Sequence, residues 1–88
     1  MSGSHGSHDP AAVRAAVHEH IVRAIPDAAV RVEGGGGHYS IEVVSPVFAG
    51  KGMLDSQRLV YSAIAPLLKG DDAPVHAVDS LRTRTPEA

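Results

Sequence analysis

Glu33-Gly34-Gly35-Gly36-Gly37-His38-Tyr39-Ser40-Ile41-Glu42-Val43-Val44-Ser45-Pro46 is the stretch that decides how this chain folds. After the glycines, Tyr39, Ile41 and Val43 alternate with Ser40 and Glu42, the period of a strand buried on one face only. Ser45-Pro46 ends it, because proline cannot donate to a ladder. On the other side of the glycines, Ala28 to Glu33 alternates Val30 and Val32 with Arg31 and Glu33, a second half-buried strand. Two alternating strands joined by the short connector Gly34 to Gly37 predict an antiparallel hairpin.

Upstream, Asp9-Pro10 is a helix start: the carboxylate caps free amides and proline suits the first turn. Val13, Val17, Ile21 and Ile25 follow at intervals of four, with Ala24 beside them, so one stripe of the helix is apolar. Pro26-Asp27 stops it. Downstream, Phe48 to Gly52 reads as a turn. A second amphipathic helix runs from Leu54 to about Leu68, with Leu59, Val60, Ala63, Ile64, Leu67 and Leu68 on its core face. Pro66 is expected to kink that helix or end it early. Gly70 to Pro74 is a loop, Val75 to Thr83 a third strand, and Thr85 onward a tail.

The expected fold is α+β in the order α-β-β-α-β. The second helix is the crossover between strands two and three, which makes those strands parallel neighbours. The handedness of such crossovers puts both helices on one face of a three-stranded mixed sheet. Residues 1–8 read as a disordered Gly/Ser-rich leader, 9–86 as a single domain and 87–88 as a tail.

Composition narrows the function. Eighty-eight residues allow one domain, which buries about 60–65% of its unfolded surface. The sequence contains no cysteine, which excludes a disulfide framework, a redox thiol and a self-contained thiolate metal site. No apolar run is long enough for a helical membrane span, and no basic-then-apolar leader is present, so a cytoplasmic protein without a membrane partner is expected. A net charge of −2 argues against a strong autonomous nucleic-acid binder.

Six histidines remain to be placed. His5 and His8 lie in the leader, where such spacing invites adventitious metal binding. His18 and His20 sit off the apolar stripe of the first helix and read as solvated. His38 opens strand two and His76 sits near the start of strand three. Parallel neighbours start at the same sheet edge, so both imidazoles can approach one spot there. By spacing alone His76 also fits a satisfied, partly buried histidine, and His38 a plain loop residue. Two imidazoles suit zinc, copper or iron but fall short of a complete site. Paired histidines can replace two thiolates on one iron of a cluster; a cysteine-free chain would then supply part of the coordination and a partner the rest.

No enzyme constellation stands out. The serines lack a Gly-x-Ser-x-Gly elbow, Asp71-Asp72 reads as turn chemistry, and the four glycines precede neither a helix nor Gly-Lys-Ser/Thr. Gly50-Lys51-Gly52 precedes a helix, whose N-terminus is a place to meet an anion.

The pattern Gly-Gly-His38-Tyr39-x-Ile-x-Val-Val-Ser45-x-x-Phe48-x-Gly50-Lys51, then Leu54-x-x-Gln57-Arg58-x-Val60-Tyr61, Val75-His76-Ala77 and Thr83-x-Thr85-Pro86 resembles the BolA-like proteins from about Ala11 to Pro86. The resemblance implies an α-β-β-α-β core akin to the type II KH fold. It also implies a non-enzymatic partner of monothiol glutaredoxins in iron–sulfur trafficking, iron regulation and stress response, by itself a monomer or weak homodimer. The histidine of Val-His-Ala, here His76, would ligate a two-iron two-sulfur cluster completed by glutathione and the glutaredoxin cysteine. The second ligand would come from the loop between the first two strands, where this chain offers His38. Family members are also described as DNA-binding transcriptional regulators acting through a helix-turn-helix-like region, here residues 48–68, with Lys51, Arg58, Arg82 and Arg84 as the candidate contacts. Two departures stand out. Ser56-Gln57-Arg58 replaces the Arg-His-Arg of many relatives, and the usual tryptophan after the Thr-Pro pair is absent.

Overall fold

A computed structural model describes residues 8–87; the leader expected over residues 1–7 lies outside them. His8, the last leader residue, is described, and its Nε2 lies 3.0 Å from the Asp72 carbonyl. Helix α1 spans Pro10–Ala24, strand β1 Ala29–Gly35, strand β2 His38–Val44, helix α2 Met53–Leu68 and strand β3 Ala77–Arg84. A single 3₁₀ turn, Pro46–Phe48, separates β2 from α2. The order is the expected α-β-β-α-β.

Helix α1 begins as its sequence dictates. Asp9 is the N-cap and its carboxylate accepts from the Ala12 amide at 3.2 Å. Removing that acceptor in Asp9→Ala is expected to cost about 1 kcal/mol, measurable as a lower urea midpoint with an unchanged slope. Val13, Val17 and Ile21 are buried, and Ile25, just past the last turn, completes the stripe. Ala24 faces solvent.

The hairpin is tighter than four glycines imply. Gly34 and Gly35 belong to β1, pairing with Tyr39 and His38, so the turn is Gly36-Gly37 alone. Both have positive φ, +62° and +86°, the combination that two-residue hairpin turns with the twist of the flanking strands require. β2 is the central strand, antiparallel to β1 and parallel to β3.

Tyr39, Ile41 and Val43 are buried on the face that α1 and α2 cover, with Phe48, Val60, Ile64 and Val75 completing the core. The alternation in β2 is therefore a true inside–outside pattern. The opposite face carries Arg31, Glu33, Ser40, Glu42, Ser80 and Arg82, and no described element packs on it. Among the described residues no helix is long and apolar enough to cross a membrane.

Three details differ from expectation. Pro66 does not end α2, which continues to Leu68. It sits in the final turn, where the missing amide costs one helical bond and little of the helix lies beyond to be deflected. The core face of α2 is Ser56, Val60 and Ile64 with Ala63, Leu67 and Leu68 at its margin, while Leu59 is exposed. Val75, expected in strand three, instead is buried and bonds its amide to the Leu67 carbonyl, so β3 starts two residues later.

Candidate functional site

The hairpin turn organises one end of the sheet. The Gly37 carbonyl accepts the amides of both His76 and Ala77, at 2.8 and 3.0 Å. That fork pins the entry of β3 beside the first residue of β2, and His38 pairs with Ala77 in the parallel register. His76, the residue just before β3, is therefore the chain neighbour of the residue that pairs with His38.

The two imidazoles are held differently. The His76 ring lies against Gly37: a β-carbon built there would stand 2.9 Å from His76 Cδ2 and 3.0 Å from Cγ. Only hydrogen at position 37 leaves room for the ring in that place. His76 is exposed, and among the described residues neither ring nitrogen has a hydrogen-bond partner. The reading of His76 as a partly buried, satisfied histidine does not describe it.

The Nδ1 of His38 lies 3.2 Å from Asp79 Oδ1. An ionised carboxylate only accepts, so Nδ1 is the donor of this bond, and in the neutral ring Nε2 then holds the lone pair. Asp79 reaches His38 because β3 is irregular there. Tyr39 pairs with Val78, but Ser40 pairs with Ser80, leaving Asp79 as the extra residue. Bulges of this kind re-aim side chains. Sequence reasoning missed Asp79, since nothing in Ala77 to Arg84 marks where the ladder slips.

The donor set fits part of a metal centre and no more. Among the described residues no group of three or more His, Cys, Asp and Glu is placed to hold a metal ion. Carboxylate-supported and unpaired imidazoles at one exposed edge are suited to share an ion or cluster whose other ligands arrive with a partner.

Of the four candidate nucleic-acid contacts, Arg82 and Arg84 line one shallow cleft together with Glu42. Arg58 lies on the exposed side of α2, 4.0 Å from Asp55. Arg84 pairs with Glu42 at 3.2 Å, and Arg82 lies among Arg31, Glu33 and Glu42 on the open sheet face. Lys51 and Arg84 border a common cleft. His18 and His20 stay on α1, where His20 Nδ1 bonds the Ala16 carbonyl at 2.8 Å.

The order α-β-β-α-β and the mixed three-stranded sheet define a small α+β domain. The chain belongs to the BolA-like protein family, whose sequence model matches residues 7–88. Among solved structures, a bolA protein homologue from Coxiella burnetii is 34% identical, with a TM-score of 0.67 over 80% of this chain and 86% of that one. BolA1 from Mus musculus is 32% identical, with a TM-score of 0.69 over 98% of this chain and 75% of that one. BolA1 from Arabidopsis thaliana, 22% identical, shares the fold with a TM-score of 0.69 over 83% and 90%. A search of curated proteins returns no match.

Proposed function

We propose that this protein is a non-enzymatic partner of a monothiol glutaredoxin, sharing a glutathione-ligated two-iron two-sulfur cluster in iron–sulfur trafficking and iron regulation. The observation that carries this reading is the exposed, unpartnered His76 ring seated against Gly37, one register step from His38. Family membership supports it as well.

In this reading His76 is the principal ligand. His38 is the auxiliary one through Nε2, its ring oriented by Asp79. When bound, the cluster supplies iron sites that accept imidazole; everything the chain contributes is orientation and an uncharged donor pair. Glutathione and the glutaredoxin cysteine supply the thiolates that this sequence lacks. The reading places the protein in the cytoplasm, where thiols stay reduced.

The test is visible circular dichroism of a preformed glutaredoxin–glutathione cluster titrated with this protein. A new spectrum that saturates at an equimolar ratio is the expected result. An unchanged spectrum, with or without a cluster-free complex, overturns it. The alternative, a DNA-binding regulator acting through residues 48–68, draws less support, because two of its four cations are paired with carboxylates and the chain carries a net charge of −2.

A further inference from the structure

The far end of the sheet carries a cleft. Where β2 and β3 finish, the Pro46–Phe48 turn, the loop to α2 and the end of β3 enclose an open cleft of about 750 Å³. It lies roughly 25 Å from His76, the length of β3 at about 3.3 Å per residue. This is the carboxyl edge of the parallel pair, with the crossover helix starting beside it.

Three features of this cleft point to an anion. First, two cations border it, Lys51 and Arg84. Arg84 gives only its Nε to Glu42, so its terminal guanidinium nitrogens have no acceptor among the described residues. Second, α2 starts at Gly52, an N-cap with no side chain to accept from the first amides. Its 16 residues leave the positive end of the helix uncompensated, apart from the exposed Asp55.

Third, Ser56 lines the cleft and is only 3% exposed. Its hydroxyl has no hydrogen-bond partner among the described residues. No wholly enclosed side-chain polar atom is left unpaired there, so the Ser56 Oγ opens onto the cleft. Opening onto the cleft, that hydroxyl is free to donate to whatever occupies it.

We propose that this cleft binds a single phosphate-sized oxyanion, held by Lys51, Arg84 and the Ser56 hydroxyl at the N-terminus of α2. One such group matches the local charge. Lys51 and the free terminal nitrogens of Arg84, whose charge is partly met by Glu42, suffice for one small oxyanion, whereas a nucleic-acid backbone needs a row of cations, and the chain carries a net charge of −2. The site is independent of the cluster reading: it shares no residue with His38, His76 or Asp79.

The experiment is an amide-resolved NMR titration of the full chain with inorganic phosphate and, in parallel, glycerol 3-phosphate, at constant ionic strength against chloride. Saturable shifts centred on Gly50, Lys51, Ser56 and Thr85 are expected. Lys51→Gln should weaken binding about tenfold and Ser56→Ala about threefold, the ranges for losing a charged and a neutral hydrogen bond. His76→Ala should bind phosphate as wild type does. Tighter binding of the ester assigns a phosphorylated small molecule, and equal binding assigns the ion itself. The proposal fails if the shifts do not saturate or spread equally to Arg14, Arg23 and Arg31. It also fails if both cleft variants bind as wild type, or if only a short DNA duplex binds, with shifts reaching Arg58 and Arg82.

Discussion

Replacing His76 with alanine is expected to abolish the cluster spectrum shared with a monothiol glutaredoxin while leaving the protein folded. The ring is exposed and bonds to nothing in the described chain, so its loss removes little packing. Stability should change by no more than about 0.5 kcal/mol, the usual range for surface substitutions, or roughly 3 °C in melting temperature for a domain of this size. The backbone amide that anchors β3 to Gly37 is retained. Function alone is removed, because no other imidazole stands at that position. His38→Ala should leave a weakened mixed cluster. Asp79→Ala should raise the protein concentration needed for half-conversion about tenfold, the scale seen when a ligand loses its orienting carboxylate. A wild-type spectrum from His76→Ala would remove His76 from the coordination shell.

The largest effect on stability is expected from Gly34→Ala. Gly34 has φ +117°, a region that residues with a β-carbon rarely adopt. The added methyl would fall on the His38 carbonyl oxygen and within 3.0 Å of the Tyr39 α-carbon. Both are backbone atoms of the central strand, so neither can rotate away. Relief requires the hairpin to open where Tyr39, buried at 1% exposure, anchors the core. A loss of about 3 kcal/mol is expected, a large share of the 5–15 kcal/mol typical of whole domains. Gly36→Ala is the control: its φ is +62° and nothing lies within 4 Å of the added carbon, so about 1 kcal/mol covers its left-handed backbone. Urea denaturation distinguishes the two, and equal midpoints would show that the clash is absorbed without cost.

Much of the architecture is legible in the residues. The Asp9-Pro10 start, the Val13/Val17/Ile21 stripe and the alternation of Tyr39, Ile41 and Val43 each follow from local periodicity, and each is found in place. What went astray was decided by position within an element. Pro66 looked like a breaker because proline disrupts a helix interior, yet in a last turn its cost is small. Leu59 looked like core because it is apolar, but Ser56 takes the inward position. The site was half legible. Two histidines at the starts of parallel strands could be placed at one edge from topology. The resemblance to BolA-like proteins added the chemistry. Asp79 could not be found, because a bulge is a slip between strands and leaves no mark on either.

The sequence by itself determined the apolar stripes of α1 and β2, the order of elements and the absence of any thiolate, since these depend on periodicity and composition along the chain. Tertiary structure alone decided that Gly37 offers one carbonyl to two amides and a flat seat to His76, and that Asp79 reaches His38. It also decided that Ser56 is buried at the floor of a cationic cleft. Those relations join residues between 5 and 41 positions apart. They are set by register and packing between elements, quantities that no local pattern encodes.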